Sequence, residues 1–114
     1  MPETYALRQW SSLILEATLI LKRSLNTCDC AKNDFTAAGF VDVGEIPFKW
    51  PINRWPKELK YKELGMWTQE NFVIDVEAMS LALFTRGLGG SYEEAVAFVA
   101  GVRADMKDSK IRAY

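Results

Sequence analysis

The chain has 114 residues, of which 49% are hydrophobic and 25% are charged, and its formal net charge is −1. This composition is ordinary for one globular domain with its own core, and it excludes disorder of the whole chain. The nearly neutral charge gives no overall attraction to nucleic acid or to an anionic membrane, so either partner would need a local basic patch. Since the chain has no histidine, Ser-His and Cys-His nucleophile pairs and His-containing zinc sites are excluded.

The N-terminal segment is predicted to be a helix over residues 4–22. Its apolar side chains recur every three or four residues, at Leu7, Trp10, Ile14, Ala17 and Leu21. Further apolar residues widen this face: Leu13, Leu15, Leu19 and Ile20. A helix covered on more than one side is therefore expected, as when a helix packs against a sheet.

Cys28 and Cys30 lie in a predicted loop over residues 26–33. A C-x-C spacing without a second pair cannot supply four zinc ligands within one chain, so no metal site is predicted. Ordinary unpaired thiols are the favoured interpretation, and metal capture and redox sensing stay open as alternatives.

A lone strand is predicted over residues 40–48, after a short helix from Ala31 to Ala38 that ends at a left-handed Gly39. Residues 40–48 bring β-branched and aromatic side chains in partial alternation, which favours a strand. Because one strand cannot pair its own backbone groups, we expect it to join a sheet outside this chain or to drive self-association through its edge.

The segment from 47 to 62 combines prolines, aromatic residues and positive charge. Its three prolines favour a stiff, extended loop. Five basic residues and one acidic residue give it a local excess of positive charge: Lys49, Arg54, Lys57, Lys60, Lys62 and Glu58. Three interpretations are open, namely tryptophans packed under solvated lysines, a lid over a substrate, and contact with single-stranded nucleic acid, the least favoured of the three.

Helices are predicted for most of the remaining chain. One begins near Lys57 and either stops at Gly65 or runs through it, and a strongly amphipathic one spans residues 68–86. Gly87, Gly89 and Gly90 end it, and a capping box over residues 91–94 begins the last helix. That helix is predicted to bury Ala95, Phe98 or Val99, Val102 and Met106.

Four stretches of the chain carry a likeness to known proteins: Ala-Gly-Phe-Val-Asp-Val (38–43), Phe-Lys-Trp-Pro-Ile-Asn-Arg-Trp-Pro-Lys (48–57), Lys-Glu-Leu-Gly (62–65) and Leu-Phe-Thr-Arg (83–86). These stretches resemble fungal class I S-adenosylmethionine-dependent methyltransferases related to regulators of secondary metabolism. The resemblance runs through nearly the whole chain and is to the C-terminal part of such enzymes. No glycine-rich turn follows a strand near the N-terminus, where such a fold would hold its cofactor.

The resemblance implies a fold that is mainly α with one or a few short strands, as the C-terminal fragment of a Rossmann-like α/β methyltransferase. Residues 1–114 form a single domain, with helices and a strand of the α/β core over residues 4–48 and a helical lid insertion over residues 49–106. Trp50, Trp55, Trp67 and Asn71 are the candidate contacts to the methyl acceptor, which is a small molecule or a protein. No general base is identified.

Function follows from the same resemblance. We expect full-length relatives to use S-adenosylmethionine, and we expect this chain alone, which lacks the cofactor-binding part, neither to bind it nor to be active. Two alternatives are a non-catalytic helical interaction module derived from a methyltransferase and a fragment of a longer gene product. The start of the sequence has no features of a secretion signal, so an intracellular, cytoplasmic or nuclear location is expected, without a membrane.

Overall fold

A computed structural model describes residues 2–114 and shows a mainly helical chain, which confirms the predicted fold class. The helices are α1 (Ala6–Ile20), α2 (Thr27–Ala37), α3 (Leu59–Ala82) and α4 (Tyr92–Lys107), with a π-helical turn over Leu83–Gly87 that continues α3. We call α1, α3, the π-helical turn and α4 the bundle, because these elements pack against one another. Residues 21–46, which contain α2, are called the arm.

The core lies between the three helices of the bundle. It is formed by the apolar faces that the sequence periodicity predicts, and its buried members are Leu7, Trp10, Ile14, Val76, Phe84, Ala95, Val99, Val102 and Met106. Within α4 the predicted choice between Phe98 and Val99 resolves to Val99, which is fully buried while Phe98 packs at the edge of the core. The agreement follows from helical periodicity, since a helix with one apolar stripe turns that stripe to its neighbours. It does not extend to Leu21 at the end of the predicted stripe or to the wider face of α1, because Leu15, Leu19, Ile20 and Leu21 are exposed.

One buried polar contact joins α1 to α3 across this core. The indole N–H of Trp10 donates to the Ser80 hydroxyl at 2.7 Å, and that hydroxyl donates in turn to the Val76 carbonyl. Phe72 packs edge-on against the Trp10 ring, with ring centroids 5.7 Å apart. A buried indole needs a hydrogen-bond acceptor, so Ser80 makes the burial of Trp10 energetically acceptable.

Helix α4 provides polar contacts to both other helices. The Asp105 carboxylate accepts from the Leu7 backbone N–H at 2.9 Å and so satisfies one unpaired donor in the first turn of α1. Arg103 donates to the Val73 carbonyl at 2.9 Å and pairs with Glu77 at 3.1 Å. These contacts fix how α4 lies along α1 and α3.

The serine half of the predicted capping box is present at the start of α4. The Ser91 hydroxyl accepts from the Glu94 backbone N–H at 3.2 Å. Upstream, Gly89 adopts a positive φ of 72°, which fits the predicted glycine stop.

Helix α3 is one continuous helix, so Gly65 does not interrupt it. The interruption was one of two predicted outcomes, because glycine weakens an isolated helix. Here Gly65 is buried, and a Cβ added to it would lie 1.9 Å from the carbonyl oxygen of Asn53. The glycine is therefore required by the close approach of another segment and not by its own backbone conformation.

Helix α2 begins at Thr27, so the predicted loop over residues 26–33 is wrong for most of its length. The polar residues there favoured a loop, but none is Gly or Pro, and Asp29 in the first turn suits the positive end of a helix dipole. Cys28 and Cys30 are exposed, unpaired thiols on this helix. At its other end, Gly39 has the predicted left-handed conformation, with φ of 99°.

The predicted strand over residues 40–48 does not form, and residues 2–114 contain no β-strand. The sequence pattern reports a preference for extended backbone, but a strand exists only through pairing, and the described chain offers no second strand. Asp42 also adopts a positive φ of 54° within this stretch, which breaks the alternation of side-chain directions. The segment is mostly exposed instead.

The arm does not contribute to the core, since none of residues 21–46 is buried. The radius of gyration of the whole chain is 16.4 Å, against about 13 Å for a compact domain of this length. The molecule is thus a compact helical bundle with a projecting arm.

Candidate functional site

The loop between the arm and α3 is held by one buried amide. Asn53 is 1% exposed, and its side-chain N–H groups donate to the carbonyls of Asp108 and Ile111, both at 3.1 Å. Its side-chain oxygen accepts from the Trp55 backbone N–H at 2.9 Å. A buried amide with both ends satisfied stabilises one loop conformation over the alternatives.

The segment after α4 forms the other side of this structure. The Ala113 carbonyl accepts from the Ile52 backbone N–H and from the Trp55 indole N–H, each at 3.1 Å. Ile111 is buried beneath it. The hydrogen bonds to the Ala113 carbonyl hold the neighbouring Tyr114 ring edge-on against the Trp55 ring, with centroids 5.3 Å apart and an interplanar angle of 83°.

A concave groove of about 700 Å³ opens between this loop and the start of α3. Such a volume lies within the range of small-molecule sites. Its aromatic lining consists of Phe48, Trp50, Trp55, Tyr61 and Tyr114, and its charged lining consists of Lys49, Lys57, Glu58 and Lys60. Pro47, Pro51, Pro56 and Leu64 complete the walls.

Two lysines of the groove lie near aromatic rings. Lys49 Nζ is 5.6 Å from the centroid of Tyr114, and Lys60 Nζ is 5.8 Å from the centroid of Tyr61. Within residues 2–114 the sole ion pair joins Arg103 to Glu77, so the lysines of the groove have no carboxylate partner. Their charge is available to an anionic ligand.

The structure brings together two of the four predicted acceptor contacts. Trp50 and Trp55 both line the groove. Trp67 and Asn71 lie one turn apart on an exposed face of α3 and do not line it. The four residues are close in sequence, but α3 begins at Leu59 and carries the second pair away along its length.

Sequence reasoning missed Asn53 and Tyr114. Nothing in the local pattern marks an asparagine after two prolines and a tryptophan as buried, because its partners lie more than fifty positions later. Asn53 lies within the stretch 48–57 that resembles the methyltransferases, and that resemblance was the only signal for it in the sequence. Tyr114 lies in a short segment rich in charged residues, which by itself predicts no packing, whereas residues 108–114 pack against the loop.

A second surface lies on the arm and is nearly all apolar. Phe35 and Phe40 pack edge-on at 5.5 Å, beside a shallow depression of about 410 Å³ that Cys28 and Ala31 also line. Val41 and Ile46 are 83% and 77% exposed. Apolar side chains grouped in this way are uncommon on the surface of a monomer.

Two further properties bear on the site. In the described part of the chain, no group of three or more Cys, Asp or Glu side chains stands close enough together to hold a metal ion. None of the helices formed by residues 2–114 combines the length and the apolar character that crossing a bilayer requires.

Comparison with known proteins finds relatives along the whole chain. It is 29% identical over 114 residues to the probable methyltransferase tdiE of Emericella nidulans, covering all of this chain and 36% of that protein. It is 32% identical over 112 residues to the methyltransferase pytC of Aspergillus terreus, covering 98% of this chain and 34% of that protein. A secondary metabolism regulator of Cochliobolus heterostrophus is 30% identical, with all of this chain and 38% of that protein covered.

The alignments cover all or nearly all of this chain, but the chain spans little more than a third of the length of these relatives. No family model matches the chain, and no solved structure is significantly similar to it. The resemblance found in the sequence motifs is confirmed: the chain is a homologue of fungal methyltransferases and secondary metabolism regulators and matches a C-terminal part of such a protein.

Proposed function

We propose that this chain is the acceptor-side part of an S-adenosylmethionine-dependent methyltransferase. The observation that carries the proposal is the similarity to methyltransferases over the full chain but only about a third of theirs. The remainder of such a protein would supply the cofactor site, and the isolated chain would neither bind S-adenosylmethionine nor transfer a methyl group. The exposed, unpaired Cys28 and Cys30 suit the reducing, intracellular location that forms part of this proposal.

In this proposal the chain has two roles. The exposed apolar side chains of the arm, together with Leu15, Leu19 and Ile20 of α1, form the surface that the cofactor-binding part covers. Residues 4–48 then belong to the α/β core and residues 49–106 form the lid. The groove contributes Trp50 and Trp55 to the methyl acceptor, while Trp67 and Asn71, which lie elsewhere on α3, would contact it only if the cofactor-binding part completed the pocket.

A chimera tests the assignment. In pytC of Aspergillus terreus, the region matched by this chain is replaced by the chain itself, and a second protein lacks the region altogether. We expect the chimera to bind S-adenosylmethionine, measured by calorimetry, and to form S-adenosylhomocysteine with the acceptor that pytC uses. The truncated protein and the isolated chain should do neither.

Two results would contradict the proposal. One is a folded chimera that binds the cofactor no better than the truncated protein, since the chain would then not complete the fold. The other is micromolar binding of S-adenosylmethionine to the isolated chain, since the cofactor site would then not lie in the missing part.

A second candidate function is a non-catalytic interaction module, and the exposed apolar arm favours it. If the arm seeks a partner, the purified chain should self-associate, as measured by size-exclusion chromatography with light scattering. Ile46→Lys on the arm should reduce this association, whereas Ile74→Lys, at a similarly exposed position on α3, should not. A monodisperse wild-type monomer would argue against an uncovered interface.

A further inference from the structure

The groove beside the start of α3 combines two properties that specify a ligand more narrowly than its size does. Its lining is mostly aromatic, and its charged side chains are three lysines and one glutamate. We propose that it binds a planar aromatic anion, such as an aromatic carboxylate, with the ring against Trp50 and the acidic group toward Lys49 and Lys60. Interpreting this ligand as the methyl acceptor rests on the proposed function; the binding itself does not.

The aromatic side of the groove is built before any ligand arrives. Trp55 is fixed at both its backbone N–H and its indole N–H, and the Tyr114 ring packs edge-on against it. Trp50, by contrast, is 59% exposed. Because Trp55 is already held in place, binding a ligand beside it costs little side-chain entropy. A flat ligand that covers the exposed Trp50 ring removes apolar surface from water.

The charges favour an anion over a neutral ring. No lysine of the groove is paired with a carboxylate in the described part of the chain. The ammonium groups of Lys49 and Lys60 lie 5.6 and 5.8 Å from the ring centroids of Tyr114 and Tyr61, so positive charge lies directly beside the aromatic lining. A ligand with an acidic group on an aromatic ring could pair with the lysines and stack on the aromatic lining at the same time.

Size separates this ligand from a nucleic acid strand. The groove has a volume of about 700 Å³, which suits a small molecule. A single strand needs a basic track several nucleotides long, whereas this chain has a net charge of −1 and its remaining charges are mixed. The observations therefore favour a small ligand.

Three matched probes test the chemistry by calorimetry on the whole chain. Naphthalene-2-carboxylate has the ring and the charge, naphthalene-2-carboxamide keeps only the ring, and cyclohexanecarboxylate keeps only the charge. We expect the first to bind at least about 5-fold more tightly than either of the others. Its affinity should fall at about 1 M sodium chloride, where the Debye length is only about 3 Å.

Two matched pairs of variants test the location. Trp50→Ala should weaken binding of naphthalene-2-carboxylate by about 10-fold, in line with the loss of an aromatic stacking surface. Trp67→Ala should leave it unchanged, although Trp67 is just as exposed, at 60%. Lys60→Gln should weaken binding by about 3-fold, and Lys62→Gln, which lies outside the groove, should not.

Several outcomes would overturn the proposal. Equal binding of the carboxamide would remove the role of charge, and an equal loss in Trp67→Ala would remove the groove as the site. Tighter binding of a thymidine oligonucleotide would assign the groove to nucleic acid, and failure of all three probes at millimolar concentration would leave no aromatic-anion site. Because these measurements need no methyl transfer, their failure is distinguishable from failure of the chimera.

Discussion

The bundle and the arm both contain many apolar residues but differ in what those residues do. In the bundle, side chains such as Val76, Val99 and Val102 are fully buried. In the arm, Phe35, Val41 and Ile46 are exposed. The difference shows that a pattern of apolar residues forms a core only where another segment of the chain supplies an opposing apolar surface. Within the described residues, no segment packs against the apolar side chains of the arm in this way.

Hydrogen exchange should give the largest contrast between the two regions. Helix α2 has 11 residues and no buried side chain, so it is marginal by itself, whereas α4 opens only with the bundle. We expect amides in α4 to exchange about 10³-fold more slowly than those of α2, relative to unstructured rates. Equal protection of both helices would mean that the arm is part of one cooperative unit.

Introducing a lysine into each region should give the next largest difference, in the free energy of unfolding. Val99→Lys puts an unpaired ammonium into the centre of the bundle and should lower the free energy of unfolding by about 4 kcal/mol or more. Val41→Lys makes the same substitution at an exposed position and should change it by less than about 0.5 kcal/mol. Urea denaturation followed by circular dichroism checks both, and similar losses would contradict the distinction.

Adding a methyl group at the contact between the loop and α3 should have the next largest effect on stability. Gly65→Ala would place a Cβ against the Asn53 carbonyl and should destabilise the chain by about 2 to 3 kcal/mol. Gly44→Ala in the arm has open space around it and should be neutral. Thermal unfolding measures the loss, and an unchanged midpoint for Gly65→Ala would show that the loop does not pack as described.

The buried hydrogen bond of the bundle should have a smaller effect. Ser80→Ala leaves the Trp10 indole N–H without its acceptor and should cost about 1 to 3 kcal/mol. Ser12→Ala, which removes an exposed hydroxyl bonded to its own helix, serves as the control. Chemical denaturation compares the two, and equal values would indicate that Trp10 finds another partner.

The ion pair between α3 and α4 should have the smallest effect. Both Glu77 and Arg103 are about one-third exposed, so Glu77→Gln should cost only about 0.5 kcal/mol. The difference from wild type should shrink at high salt, because exposed charges are screened. A larger, salt-independent loss would show that Glu77 has a structural role beyond its charge.

Much of the bundle was predictable because helical patterns are local. The stripe of α1 from Leu7 to Ala17, the cap at Ser91 and the buried positions of α4 follow from residues three and four apart, and the structure has them where the sequence predicts. Gly39 and Gly89 were predictable for the same reason, since a left-handed residue after a helix favours glycine.

The candidate groove was predictable only in part. Trp50 and Trp55 were identified because aromatic and basic residues alternate between prolines. The separation of Trp67 from them was not, since it depends on whether the helix that begins near residue 57 runs through Gly65. Asn53 and Tyr114 were not identified either, because each is defined by hydrogen bonds or ring contacts between the loop and residues 108–114.

The sequence by itself determined the helices of the bundle, the apolar stripes on which they pack and where glycine turns the chain, because these depend on neighbours a few positions away; the start of α2 at Thr27 was not among them. It also determined the relationship to methyltransferases. Tertiary structure alone decided that Gly65 lies inside a helix, that Asn53 is buried and that residues 40–48 form no strand. The physical reason is common to all three: each depends on whether another segment supplies a close packing surface or hydrogen-bond partners.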